Sequence, residues 1–287
     1  MLTGRGFHDV GIGQAAPRES SATIAALARG VMATSDRPQL SVVIPAFNEE
    51  RRLGATLERV VTYLSAQPFA WEVLAVDDGS ADGTAALVER ASVAEPRVRL
   101  VRVGSNRGKG NAVRAGFFEA RGELVLFSDA DLSTPIEEFE RLRAALDGVP
   151  ARDIAIGSRA LPDSDVRVRQ NIIRQTMGKT FNLIVRIATG LSLHDTQCGF
   201  KLFRRETAQP VFRAQLLEGF AFDVELLFLA KRSGLSIGEV PVAWINSPDS
   251  RVHVVRDSAR MFRDVLRIRL NALLGRYDAA ASARSSP

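Results

Sequence analysis

Asp129 and Asp131, separated by Ala130, follow the apolar run Leu124-Val-Leu-Phe127. Two carboxylates so close supply hard oxygen ligands suited to Mg²⁺ or Mn²⁺ and leave positions for diphosphate oxygens. The same residues also read as an acidic turn capping the next helix, because Ser133-Thr134-Pro135 precedes Glu137 and Glu138. A second acidic turn, Asp77-Asp78-Gly79-Ser80, closes the run Trp71-Glu-Val-Leu-Ala-Val76 and continues into Asp82-Gly83-Thr84. A carboxylate at a strand end can accept from a ribose hydroxyl or a base N–H, while Ser80 or Asp82 caps the following helix. Asp and Gly are equally the residues of a turn with no ligand. Two such turns at neighbouring strand ends would face one crevice.

Two further loops narrow the chemistry. Gly104-Ser-Asn-Arg-Gly108-Lys109-Gly110 resembles a phosphate loop, but three residues separate Gly104 from Gly108 where a Walker site has four. Gly110 also stands where Ser or Thr would bind metal, so a Walker site is excluded. The loop still offers Lys109 and backbone N–H groups at a helix start to a phosphate, or is a solvated connection. Pro45-Ala-Phe-Asn48-Glu49-Glu50 has no glycine-rich turn after the first strand, which argues against a nicotinamide or flavin enzyme.

These segments need elements to position them. Short apolar runs at 40–45, 71–76, 98–103, 124–127 and 154–156 alternate with helical patterns at 53–64, 82–91, 112–120 and 136–146. That alternation predicts an α/β fold of βαβ units around a mostly parallel sheet, with strand ends on one ligand-binding rim. Beyond it, 166–193 reads as one or two helices with an apolar face (Ile172, Ile173, Phe181, Ile184, Val185) and basic residues including Arg169, Arg174 and Lys179. Residues 220–232 form an apolar helix carrying Asp223 and Glu225, and 237–244 a strand. In a basic helix over 258–274, Met261, Phe262, Val265, Leu266 and Leu273 make one stripe flanked by Arg260, Arg263, Arg267 and Arg269. Such a helix lies in a membrane interface, or docks on the sheet with its arginines solvated. Residues 1–37 read as a flexible leader with room for a short helix at 24–32, 38–276 as one folded domain, and 277–287 as a flexible tail.

Composition sets the outer bounds. With 46% hydrophobic residues in 287, the chain can bury an ordinary core. A net charge of +5 favours anionic partners. Nucleic acid is disfavoured, because the basic residues interleave with apolar helix faces and no basic-aromatic RNA motif occurs. Cys198 is the one cysteine, so no intrachain disulfide forms. His8, His194 and His253 are scattered and suggest no histidine metal site. No apolar run reaches the ~18 residues of a membrane span, and no secretory signal is recognisable, so a cytoplasmic protein is expected.

The segments SVVIPAFNEE, VDDGSADGT, NRGKGNAVRAG, FSDADLSTP, IGSR, DTQCGFKLFRR, GFAFDVELL and EVPVAW occur in this order across residues 40–269. Together they resemble the inverting family-two glycosyltransferases of the GT-A fold. Within that family they are most similar to the branch holding dolichyl-phosphate β-glucosyltransferase and the polyprenyl-phosphate glycosyltransferases. The resemblance implies a sugar-nucleotide donor, a polyprenyl-phosphate acceptor, a divalent cation and peripheral contact with the inner face of the membrane. It places Pro45, Asn48, Glu49, Asp77, Asp78, Gly79, Lys109, Asp129 and Ala130 around the donor, with the cation on Asp129 and Asp131. Ser133 stands where related mannosyltransferases carry a metal-binding Gln, so a loosely held cation is expected. Arg159 and Arg174 are implied as acceptor-phosphate ligands, with Arg169 as the alternative to Arg174 and Lys201 as a further candidate. A phosphate acceptor is already ionised and needs little general base, whereas a hydroxyl acceptor would need one, for which Asp195 and Asp223 are the candidates. The expected reaction is glucose transfer from UDP-glucose. UDP-GalNAc, UDP-GlcNAc or GDP-mannose as donor, a soluble phosphoglycerate acceptor, and an inactive nucleotide-binding module are the alternatives.

Overall fold

Leu40–Ala46 (β1) is buried along its whole length, as a strand must be when helices cover both faces of its sheet. The computed structural model describes residues 37–166, 172–245 and 254–278, and β1 lies inside its seven-stranded sheet. The other strands are Trp71–Asp77 (β2), Val98–Arg102 (β3), Leu124–Ser128 (β4), Ile154–Ser158 (β5), Phe200–Arg204 (β6) and Ile237–Pro241 (β7). Their order is β3-β2-β1-β4-β6-β5-β7. β1 runs parallel to β2 and β4, β2 to β3, and β5 to β7, while β6 is antiparallel to both its neighbours. The register pairs Ala46 with Asp77 and Asp77 with Arg102, and Ser128 faces Phe200 at the start of β6. The chain ends of β1, β2, β4 and β5 therefore share one rim with the beginning of β6.

The helices are Leu53–Ser65 (α1), Thr84–Ala94 (α2), Lys109–Glu119 (α3), Phe139–Asp147 (α4), Ile172–Thr189 (α5), Arg205–Ala214 (α6), Phe222–Arg232 (α7) and Val254–Leu273 (α8). Alternate strand residues feed two cores. Val42, Ile44, Val73 and Ala75 pack with apolar residues of α1, α2 and α4; Val43, Leu74 and Val76 pack with those of α3, α6, α7 and α8.

One element is new and two expectations change. The segment around Lys201 is the strand β6, inserted antiparallel between β4 and β5, and α6 follows it at once. A lysine in a central strand defeats an apolar-run criterion; here Lys201 is fully buried but ion-paired. The domain does not stop at residue 276: Tyr277 is buried against Phe228 and donates to Glu225, and Asp278 pairs with Arg232. The stripe expected on α8 divides in two, with Val265 and Ile268 in the core and Phe262, Leu266 and Leu273 exposed. The leader at 1–36, including 24–32, as well as Arg169, His8, His253 and the tail at 279–287, lie outside the described residues.

Candidate active site

The two acidic turns meet the β1–α1 loop and form one unit. Asn48 sits in the left-handed region at φ 56°, which Asn tolerates better than most residues. There its Oδ1 accepts from the Ala81 N–H at 2.8 Å, while its own N–H donates to Ser80 Oγ at 2.8 Å. Asp77 Oδ1 accepts from the Ser80 N–H at 3.0 Å. Gly79 has φ 77°, and a Cβ there would lie 2.8 Å from the Asn106 nitrogen, so only glycine fits beneath the neighbouring loop. Glu49, expected near a nucleoside, holds its carboxylate against the Arg52 guanidinium.

Asp78 braces the glycine loop, accepting from the Arg107 N–H at 3.2 Å and the Gly108 N–H at 2.7 Å. Burial pushes its carboxyl above the usual range despite these donors, and Asp77 adds to the rise. The N–H groups of Gly110 and Asn111, at the start of α3, point to the Glu218 carbonyl at 2.7 and 3.3 Å. These backbone donors serve the fold, which corrects the reading of the loop as a backbone phosphate cradle. Its Lys109 is a different matter.

Lys109 Nζ lies 2.6 Å from Asp129 Oδ1 and 5.1 Å from the Phe127 ring centre. Burial disfavours its ammonium, but Asp129 and Asp223 outweigh that and hold the pKa above the ordinary lysine value. Asp129 follows β4 directly, and its N–H donates to the Gly199 carbonyl at 3.1 Å. A Cβ on Gly199 would stand 2.0 Å from Asp129 Oδ2, so the missing side chain at 199 is what gives the carboxylate its place. Asp131 Oδ1 accepts from the Ser133 N–H at 3.0 Å, and the Arg52 guanidinium is 4.0 Å away. Among the described residues no group of three metal-binding side chains forms. Two partly exposed carboxylates suit an ion that takes most of its oxygens from a diphosphate and water, as Mg²⁺ does. Both are hard oxygen donors, the ligand type that a hard divalent cation takes, so the residue types fit the expected metal.

Farther along the rim, Asp195 grips Arg159. Its carboxylate accepts from Arg159 Nε at 2.7 Å, Nη2 at 2.9 Å and the backbone N–H at 3.0 Å, and from the Gln197 N–H at 3.1 Å. Burial alone would raise this carboxyl, but the guanidinium outweighs it and holds the pKa at about 2. Burial opposes the Arg159 charge, but Asp195 outweighs it and holds the guanidinium above its ordinary pKa, with Asp129 a smaller contributor. The guanidinium carbon lies 5.5 Å from the Trp244 ring centre. Asp195 is thus a clamp on Arg159, its carboxylate taken up by four donors.

Lys201 is 0% exposed, 2.6 Å from both Asp223 Oδ1 and the Cys198 carbonyl. This corrects the reading of Lys201 as a phosphate ligand. Asp223, 3% exposed, has its carboxyl raised by burial against the pull of Lys201 and Lys109, and its Oδ1 is occupied. That is a structural pairing in the first turn of α7. Arg174 falls within α5, and its side chain lies outside the described residues. Sequence reasoning passed over Gly199, Trp244 and Glu239, although each lies in a quoted motif. They act through backbone spacing or on a neighbour, and residue type alone does not reveal that.

A mostly parallel sheet with an Asp-Ala-Asp turn and an acidic turn on its carboxyl rim is the framework of a GT-A glycosyltransferase. The fold agrees with mannosyl-3-phosphoglycerate synthase from Rubrobacter xylanophilus, at a TM-score of 0.62 and 20% identity over 83% of this chain and 75% of that one. It also agrees with glucosyl-3-phosphoglycerate synthase from Mycobacterium tuberculosis, solved with Mn²⁺, UDP and glucosyl-3-phosphoglycerate, at 0.58 and 21% over 93% and 87%. The model of glycosyl transferase family 2 matches residues 41–212, and the chain belongs to that family. Among its relatives, the dolichyl-phosphate β-glucosyltransferase of Dictyostelium discoideum is 37% identical over 84% of this chain and 76% of its own. Those of Homo sapiens and Saccharomyces cerevisiae are each 35% identical, over 85% and 83% of this chain and 78% and 76% of theirs.

Proposed function

We propose that this enzyme transfers glucose from UDP-glucose, with inversion, to a polyprenyl phosphate of the dolichyl type, giving a β-linked lipid phosphosugar. The observation that carries the proposal is the kinship at 35–37% identity, across most of the chain, to dolichyl-phosphate β-glucosyltransferases. The site supports it with two charge centres on one rim. Asp129 and Asp131 would hold the cation of the donor diphosphate, and Arg159 would meet the acceptor phosphate.

In this reading Asp77, Asn48 and the Gly79 turn shape the nucleoside end, and Lys109 leaves Asp129 to contact the diphosphate. A bound divalent cation supplies charge neutralisation at the departing diphosphate. Arg159, steered by Asp195, presents its remaining N–H groups to the acceptor phosphate and aligns an oxygen opposite the leaving group. That oxygen needs no strong base, since a phosphomonoester has a second pKa of about 6. The absence of a free carboxylate base among Asp195 and Asp223 accords with this acceptor.

The exposed face of α8 supports contact with a membrane. Phe262, Leu266, Leu270, Leu273 and Leu274 are 43% to 78% exposed, beside Arg263, Arg267 and Arg269. α5, packed on α8, adds Leu183 and Ile187 at 56% and 77%. No described helix is long and apolar enough to cross a bilayer. The surface suits the interface of an anionic leaflet, and we place the enzyme peripherally on the inner face of the membrane.

The test supplies Mn²⁺ or Mg²⁺, labelled UDP-glucose, UDP-GalNAc, UDP-GlcNAc or GDP-mannose, and either a short-chain polyprenyl phosphate or phosphoglycerate. Label should enter the lipid phase from UDP-glucose alone. Transfer to phosphoglycerate instead, or donor hydrolysis without lipid product, overturns the acceptor. Transfer from another donor overturns the sugar.

A further inference from the structure

Glu239 on β7 has no part in the chemistry described so far, yet it is nearly buried, with its side chain 10% exposed. Its carboxylate receives two consecutive backbone donors. The His194 N–H lies 3.0 and 2.9 Å from its two oxygens, and the Asp195 N–H lies 2.8 Å from Oε1. His194 Nδ1 is 3.0 Å from Oε2, with the imidazole 54% exposed. Successive N–H groups converging on one anion form a nest. Here the anion is supplied by the protein itself, so the nest locks the 194–195 turn to the edge strand. β7 is in turn fixed to β5, with Ile156 opposite Glu239 and Ser158 opposite Pro241, one residue before Arg159.

The chain of contacts runs in one direction. Glu239 fixes the backbone of Asp195, the Asp195 carboxylate takes two nitrogens of the Arg159 fork, and the fork's orientation follows. We infer that Glu239 is a positioning residue for the acceptor, setting the aim of Arg159 through the 194–195 turn. This rests on the reading of Arg159 as the acceptor-phosphate ligand.

The residue type fits the task. Oε1 accepts from both backbone donors, while Oε2 shares the His194 N–H and meets the imidazole. A glutamine can keep the first arrangement with its carbonyl oxygen and turn its NH₂ toward the ring. Alanine removes both acceptors and leaves two N–H groups without a partner in a mostly buried turn. A loss of that kind changes an equilibrium about tenfold or more.

The experiment measures initial rates with UDP-glucose and a short-chain polyprenyl phosphate for Glu239→Ala, Glu239→Gln, His194→Ala, Arg159→Ala and the Glu239→Ala/Arg159→Ala double variant. Glu239→Ala should raise the acceptor KM about tenfold, with the donor KM within about twofold of wild type. Glu239→Gln and His194→Ala should stay near wild type, because each keeps the backbone bonds. In the double variant the Glu239→Ala effect should vanish, since it acts through Arg159. Equal rises in both KM values, or an effect of full size in the Arg159→Ala background, overturns the inference while leaving the acceptor role of Arg159 standing. No rise in acceptor KM for Arg159→Ala removes that role, and this inference with it. Should Glu239→Ala fail to fold, Glu239→Asp carries the test: it keeps the charge but withdraws it by one methylene. An unchanged acceptor KM there refutes the positioning role.

Discussion

Gly199→Ala separates the chemistry at Asp129 from the stability of the fold. The added Cβ would stand 2.0, 2.3 and 2.6 Å from Oδ2, Cγ and Oδ1 of Asp129. Heavy atoms settle at about 3.5 Å, so the carboxylate must retreat by at least about 1 Å. Gly199 is not among the glycines with positive φ, so alanine brings no backbone strain. The Asp129 N–H can keep its bond to the carbonyl of residue 199, and the clash falls on the far end of one side chain, whose partner Lys109 is itself long and flexible. Stability should change little. A misplacement of about 1 Å at a reacting centre is worth on the order of 100-fold in rate, which is about 2.7 kcal/mol of transition-state stabilisation. The assay pairs transfer kinetics, with Mn²⁺ titrated at saturating UDP-glucose, with a thermal melt. A kcat/KM within about threefold of wild type would show that the Asp129 carboxylate is not used where the structure holds it. A melting point many degrees lower would show that the clash is relieved in the backbone, refuting the steric argument.

Other perturbations test other parts of the molecule. Asp131→Ala should abolish transfer while the protein melts normally, and near-normal, metal-independent activity would remove the metal role. Lys201→Met strands Asp223 in the interior and should cost about 3–5 kcal/mol in urea unfolding, and a loss below about 1 kcal/mol would refute the buried pair. Burial raises Glu225 from 4.5 to about 7, although it accepts from the Leu216, Leu217 and Tyr277 donors and faces Arg267. Between those pH values the folded protein keeps a proton that the unfolded chain has lost, so stability should fall as pH rises from about 4.5 to 7, by up to about 3 kcal/mol. Glu225→Gln should flatten that slope in urea midpoints taken across the range; an unchanged slope would assign it to another group.

Much of the architecture was legible because its signals are local. Buried parallel strands such as Leu40–Ala46 are uninterrupted apolar runs, and the intervening helices carry one apolar stripe each. Asp77 and Asp129 could be placed at strand ends on one rim from that alternation, but not that β1 would lie between their two strands. β6 escaped notice because Lys201 breaks its apolar run, and only the Asp223 carboxylate from another element makes a buried ammonium tolerable. The α8 stripe was too broad because helical periodicity records that Val265 and Leu266 are both apolar, and not which of them meets the core.

The sequence by itself determined the fold class, the family resemblance and the acids on the rim, because these depend on residue type and short-range spacing. Tertiary structure decided which charges remain available. Arg159 and Asp195 are 36 residues apart, and Lys201 and Asp223 are 22 apart, so their pairing depends on how the sheet closes. Once paired, Asp195 becomes a clamp, Lys201 a buried support and Gly199 the gap that admits Asp129. A charged side chain's role follows from its nearest partner and its contact with water, and both are set by the fold.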